Sequence, residues 1–188
     1  MRLLIILPAL LVLSSCAEKF NASDYLELNK NYDVVIERDH LGVPHIIGER
    51  DVDAAFGFAY AQAEDNWQII HDSIPFYRGT NAAINGKDAA TIDFLIHWLG
   101  IWEDLDAGYK TELKPETRAY IEAFADGINF YAALHPEETN QRLFPINGKD
   151  IVAGYMLRHL LFYGFDAPVI ELFEEQRKYP ISRGGQAV

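Results

Sequence analysis

The stretch from Asp33 to Trp67 constrains the fold most, because its apolar residues change from a two-residue to a helical period. Val34 and Ile36 alternate with their neighbours, and the alternation resumes beyond the turn-forming residues 39–42. Two antiparallel strands are therefore predicted. Pro44 has no N–H to donate, which places it at a strand start or edge. The face of Val34 and Ile36 is expected to continue with Val43, His45 and Ile47.

A helix is predicted from Asp51 onward. Asp51 is the candidate N-cap, and Asp53 in the first turn is favoured by the helix dipole. Small residues occupy nearly every side of this helix, so a neighbouring element is expected to approach its backbone closely: Ala54, Ala55, Gly57, Ala59, Ala61 and Ala63. Glu64-Asp65-Asn66 is predicted to form a buried polar latch, and capping is favoured over acid–base catalysis for the paired carboxylates.

Further helices follow from apolar spacing and end signals. They are expected over 90–100, from Pro115 through Leu134, from Ile151 to about Phe165 with Asp150 as cap, and again near Leu172. A length of 188 residues with 49% hydrophobic residues suffices for one sizeable core. A net charge of −12 without a basic stripe argues against a nucleic-acid partner.

The N-terminus has the features of an export signal. Arg2 precedes the apolar run 3–13, which is too short to span a bilayer. Leu13-Ser14-Ser15-Cys16 resembles a bacterial lipobox, in which the cysteine is lipidated; an ordinary cleavage site with an incidental cysteine is the alternative. We therefore predict a signal peptide over 1–15, a lipidated tether over 16–31 and a folded part over 32–188. The product is expected in the periplasm, anchored to the outer membrane.

Catalytic motifs are absent from the sequence itself. Ser23, Ser73 and Ser182 are the serines beyond the signal region, and none lies in a GxSxG elbow. The six histidines form no HExxH or other close ligand pair, so no metal site is predicted.

Several segments resemble the α chain of the penicillin-acylase-type N-terminal-nucleophile amidohydrolases. The specific one is RDHLGVPHI followed by DAAFGFAYAQAEDNW, within 38–67. The similarity continues more weakly at Arg78-Gly79 and over residues 119–134 and 150–164. The family includes penicillin, acyl-homoserine-lactone and aculeacin acylases.

The resemblance implies an incomplete α/β (αββα) fold, with an N-terminal β-hairpin followed mostly by helices. It implies hydrolysis of linear amides such as acyl-homoserine lactones or penicillin-type side-chain amides. A serine at the start of a separate β chain acts as nucleophile, with its own α-amino group as base. That β chain and a small-molecule amide are therefore the expected partners, and no catalytic residue is assigned within these 188 residues.

The resemblance also implies site residues. His159 and Tyr163, one helical turn apart, match positions that line the acyl pocket, and Phe162 takes that role if the alignment shifts by one. A core or interface role is the alternative for all three. Where relatives of the penicillin type bind calcium through an acidic residue, this chain has Val169. No cofactor is therefore expected, and calcium in the complete enzyme is doubtful.

Two questions remain open at the level of sequence. The end of the chain lies near the position of the family's spacer before a Gly-Ser-Asn junction, which favours a truncated precursor over a genuine terminus at Val188. The alternative function is a non-enzymatic helical lipoprotein that acts as a membrane-anchored interaction module. The coding sequence after Val188 discriminates between the two functions.

Overall fold

The computed structural model describes residues 20–165 and Glu171. A β-hairpin is followed mostly by helices, as predicted. In chain order the elements are α1 (Ala22–Tyr25), a 3₁₀ turn (Leu28–Asn31), β1 (Val34–Arg38), β2 (Pro44–Gly48), α2 (Asp51–Tyr77), α3 (Ala82–Asn85), a second 3₁₀ turn (Lys87–Ala89), α4 (Ala90–Trp98), α5 (Ile101–Gly108), α6 (Pro115–Leu134) and α7 (Gly148–Phe162). None of the helices in these residues is both long and apolar enough to cross a membrane.

The hairpin has the predicted strands, but the predicted phase of β2 is wrong. Its register pairs Val34 with Gly48 and Ile36 with Ile46, so Pro44 and Ile46 share the inner face with β1's apolar residues. Val43, His45 and Ile47 are exposed instead. The turn length sets this register, and a shift of one residue exchanges the two faces of a strand.

The start of α2 corrects the predicted cap. Arg50 is the N-cap residue, and the buried Asp53 carboxylate accepts hydrogen bonds from the backbone N–H of Arg50 and of Asp33, each at 3.1 Å. The Arg50 side chain pairs with the same carboxylate. Asp51, the first residue of the helix and two residues before Asp53, is exposed. Asp53 therefore joins the helix start to the hairpin.

The small residues of α2 allow close packing, as predicted. A Cβ added at Gly57 would lie 2.6 Å from Val34 Cγ2 of the hairpin. On α6, a Cβ added at Gly127 would lie 2.4 Å from the backbone oxygen of Phe56. The hairpin and α6 thus both contact the backbone of α2, around which the larger buried cluster forms.

The predicted latch at the end of the small-residue run is not buried. Glu64, Asp65 and Asn66 are exposed. Arg38 of β1 pairs with Glu64 at 2.9 Å and with Asp65 at 3.0 Å, so the two carboxylates tie the hairpin to α2 from the surface. Asn66 interrupts the helix with φ −142° and ψ 36°, which kinks α2.

The tether was predicted over 16–31, but from Phe20 onward this segment packs against the rest of the fold. Phe20 is 6% exposed, and its ring lies 4.8 Å from that of Tyr25 and 5.7 Å from that of Phe144. α1 and the first 3₁₀ turn both contact α6. The apolar residues Phe20 and Tyr25 account for this packing, which the polar composition of the segment conceals.

Candidate functional site: a groove between three helices

The position of α7 is set by a clamp at its first turn. Asn147 is the N-cap, and its side chain accepts a hydrogen bond from the Lys149 N–H. Asp150, predicted as the cap, is instead the third helical residue and accepts from the Asn147 N–H at 2.9 Å. Arg78, at the end of α2, donates to both carboxylate oxygens of Asp150 at 2.6 and 3.0 Å. It also donates to the Leu143 carbonyl at 2.8 Å, which fixes the preceding loop.

A groove of about 380 Å³ lies between α2, α6 and α7. Tyr77 of α2 approaches α7 so closely that a Cβ at Gly154 would lie 2.7 Å from its ring. Most of the lining side chains are apolar or aromatic, among them Phe58, Ile69, Phe124, Ile128, Ile151 and Tyr155. Arg158, Ser73, Gln62 and Asp150 contribute polar groups, and the Asp150 carboxylate is already paired with Arg78. The groove therefore suits an apolar occupant with a polar or acidic end.

The three predicted pocket residues lie together at the last turn of α7. The His159 ring meets that of Tyr163 edge-on at 4.8 Å, and Phe162 contacts Tyr163 at 5.5 Å. Phe162 is 83% and Tyr163 74% exposed, so neither is a core residue of this chain. Tyr155 stacks on His159 at 5.9 Å and also lines the groove. His159 therefore adjoins the groove without lining it.

Neither serine within the described residues has a base beside it. Ser73 donates to the Ile69 carbonyl at 2.6 Å, and Ser23 donates to the Asn21 side chain at 2.9 Å.

Two groups with shifted pKa values lie where the hairpin region meets α6, and their shifts have structural causes. Burial and a 2.7 Å hydrogen bond to Asp126 raise the pKa of Tyr32, and burial raises that of Asp126. These groups join the hairpin region to α6.

One set of metal-ligating side chains occurs in the described part of the chain. The ligand atoms of His135, Glu137 and Glu138 lie within 4.8 Å of one another on the loop after α6. Both glutamates are exposed, and such surface carboxylates are common without a metal. The expectation of no metal stays a prediction. Val169, which the resemblance aligns with the calcium-binding position of penicillin-type relatives, lies outside the described residues.

Sequence reasoning missed the clamp and the groove. The sequence marks Arg78 only through the family resemblance. Its pairing with Asp150 is not predictable from the sequence because the two residues lie 72 positions apart. Phe58, Ile69 and Tyr155 looked like ordinary helix residues. The sequence pattern that indicates such groove residues is an apolar side chain on the outer face of a helix whose inner face already packs against the core.

The family model described as Penicillin amidase matches residues 33–163. The acyl-homoserine lactone acylase PvdQ of Pseudomonas syringae pv. tomato is 28% identical over 155 residues, which cover 73% of this chain and 19% of that protein. The penicillin G acylase of Escherichia coli is 29% identical over 97 residues, which cover 52% of this chain and 11% of that protein.

A solved structure shares the fold. The thermostable penicillin G acylase from Alcaligenes faecalis in its tetragonal form matches with a TM-score of 0.56 at 19% identity. The match covers 83% of this chain and 96% of that one. It confirms the expected α/β fold in incomplete form. The chain spans less than a fifth of the length of the curated relatives it matches, for example 13% of PvdQ from Pseudomonas savastanoi pv. phaseolicola.

Proposed function

Because this chain belongs to the penicillin amidase family, we propose that it is the α-chain part of an acylase, an amidohydrolase that cleaves linear amide C–N bonds. A β chain from the same precursor supplies the N-terminal serine nucleophile and its α-amino base. The family match over residues 33–163 carries this proposal.

The uncovered apolar surfaces of the chain support a partner of this kind. Val35 and Ile47, on the outer face of the hairpin, are 52% and 59% exposed. Ile69 and Tyr155, which line the groove, are also largely exposed. Large apolar side chains exposed together on one face are typical of surfaces that another chain covers. The β chain extends the two-stranded sheet and packs against the groove.

Chemical requirements support the same division of labour. Amide hydrolysis by a serine requires a base within hydrogen-bond reach of its hydroxyl. Ser23 and Ser73 instead donate to an amide side chain and a backbone carbonyl. The described part of this chain therefore acts in binding, and the catalytic groups come from the β chain.

The substrate is a small molecule with an acyl group joined to an amine. His159, Tyr163 and, at the adjacent position, Phe162 line the acyl side of the binding site once the β chain completes it. Acyl-homoserine lactones are favoured over penicillin-type amides, since several relatives that match are acyl-homoserine lactone acylases. Catalysis by this mechanism uses no cofactor.

The site of action is the periplasm. The apolar run 3–13 directs export, and Cys16 carries a lipid that anchors the protein to the outer membrane. The Cys16→Ala substitution should move the protein from the membrane fraction to the soluble fraction. The matched Ser15→Ala substitution should leave the protein in the membrane fraction. Unchanged fractionation of the Cys16 variant contradicts lipidation.

The test of the proposed function begins with the coding sequence after Val188. Expression through that sequence should give a precursor that cleaves itself into two chains, the second beginning with serine, as read by mass spectrometry. Replacement of that serine by alanine should leave the precursor intact. A stop codon directly after Val188, or a continuous chain with no cleavage, contradicts the proposal and favours the non-enzymatic lipoprotein.

A further inference from the structure

The fold begins much closer to the proposed lipid anchor than the sequence suggests. Phe20 is buried against Tyr25 and Phe144, and these rings belong to the cluster that also contains Trp67 and Tyr131. Only three residues separate Cys16 from Phe20. A residue with its ring in the core is a fixed point, so the tether ends there.

The tether length limits the distance between the fold and the bilayer. Four steps along a fully extended chain reach at most about 14 Å. A tether that continued to Asn31 would have a root-mean-square span of about 20 Å and a far longer maximum reach. A lipid on Cys16 therefore keeps Phe20 within about 14 Å of the headgroups.

We propose that the lipid anchor holds one defined surface of the protein against the membrane. This α1 surface consists of Ala22–Asn31 together with the loop 135–144, whose Phe144 contacts Phe20. The inference rests on the proposed lipidation of Cys16 and is independent of the proposed acylase activity. The partner is a lipid surface, and the groove and the hairpin remain free for the β chain.

The charges of the α1 surface determine which headgroups it faces. Asp24, Glu27, Glu137 and Glu138 outnumber the basic Lys30 and Arg142. An acidic surface gains nothing from anionic lipids. The covalent lipid therefore provides the affinity, and the surface rests on zwitterionic headgroups with the partly exposed Leu26 among them.

The orientation is tested with a fluorophore on single added cysteines in the complete lipidated protein. Glu27→Cys places the fluorophore on the α1 surface, and the matched Glu103→Cys places it on α5, which belongs to the second buried cluster. The protein is reconstituted in phosphatidylcholine vesicles that contain a headgroup-nitroxide lipid. We expect loss of fluorescence at Glu27→Cys and retention at Glu103→Cys.

A tether variant and an anchor variant complete the test. Insertion of about 20 Gly/Ser residues after Ala17 adds a mean span of roughly 25 Å and should abolish the difference between the two labels. Equal quenching of both labels without the insertion overturns the proposal. So does a Cys16→Ala protein that remains bound to the vesicles. Neither result bears on whether the protein hydrolyses amides.

Discussion

At the scale of single residues, Asp53 links sequence-distant parts of the fold through one carboxylate. It is fully buried and accepts hydrogen bonds from Arg50 and Asp33. The hydrogen bond from the Arg50 side chain is the main cause that lowers the pKa of Asp53 to about 2. The carboxylate therefore stabilises the fold in its charged form.

The first prediction concerns the pH dependence of this stability. Because the folded pKa lies below the ordinary value of about 3.9, the stabilisation is complete above that value and is lost as the pH falls towards 2. Asp53→Asn cannot titrate, so the free energy of unfolding of the assembled protein should fall at neutral pH and change less between about pH 4 and pH 2. The exposed Asp51→Asn serves as control. Equal slopes for Asp53→Asn and wild type contradict this role.

The second prediction concerns His159 in the completed enzyme. A polar ring in an acyl pocket requires a hydrogen-bond partner or incurs a desolvation cost of about 1–3 kcal/mol. His159→Leu should therefore change which acyl chain length gives the highest kcat/KM. His40→Leu, on the exposed hairpin turn, should leave the series unchanged. An unaltered series in His159→Leu removes this residue from the pocket.

At the scale of elements, the contact between α2 and α6 depends on the absence of side chains. Gly127→Ala would bring a Cβ against the backbone oxygen of Phe56, which cannot rotate away. We expect a loss of about 1–3 kcal/mol in the free energy of unfolding, measured in urea on the assembled protein.

A matched glycine on α5 provides the control for that variant. Gly108→Ala would meet only the flexible Glu112 side chain at 3.1 Å. Alanine is preferred to glycine within a helix, so this variant should be neutral or stabilised by up to about 1 kcal/mol. A loss at Gly108 equal to that at Gly127 would contradict the close-packing explanation.

The second element-scale prediction concerns the loop before α7. The buried Asn129 side chain on α6 donates to the Ile146 carbonyl at 2.8 Å and accepts from its N–H at 2.9 Å. Asn129→Ala leaves both backbone groups without this partner, at about 1–3 kcal/mol for each. The exposed Asn85→Ala should change the free energy of unfolding little. If the melting temperature of Asn129→Ala equals that of the wild type, these two hydrogen bonds do not stabilise the loop.

Elements with strong local signals could be predicted, and contacts between distant residues could not. The periodicity of Ala119–Leu134 and the turn before Pro44 define α6 and the hairpin correctly. The β2 phase, the Arg78–Asp150 clamp and the burial of Phe20 depend on partners far along the chain. The groove is likewise a product of packing, because residues from three helices line it.

At the scale of the whole molecule, the uncovered surfaces predict poor autonomy. Expressed without residues 1–16 and without a β chain, the polypeptide should aggregate or behave as a molten globule, because apolar residues of the groove and hairpin are exposed to water. Analytical ultracentrifugation and near-UV circular dichroism measure this. A soluble monomer with a sharp two-state melt would count against a missing partner.

Turnover of a linear amide, with and without the β chain, tests the central claim most directly. The measurement is kcat/KM on an acyl-homoserine lactone and on a penicillin-type amide, for the 188-residue chain alone and for the chain assembled with a β chain that begins with serine. We predict no turnover by the chain alone and acylase activity in the assembly. Turnover by the isolated chain, or an inactive but folded assembly, would contradict the assignment of this chain as the binding part of a two-chain acylase.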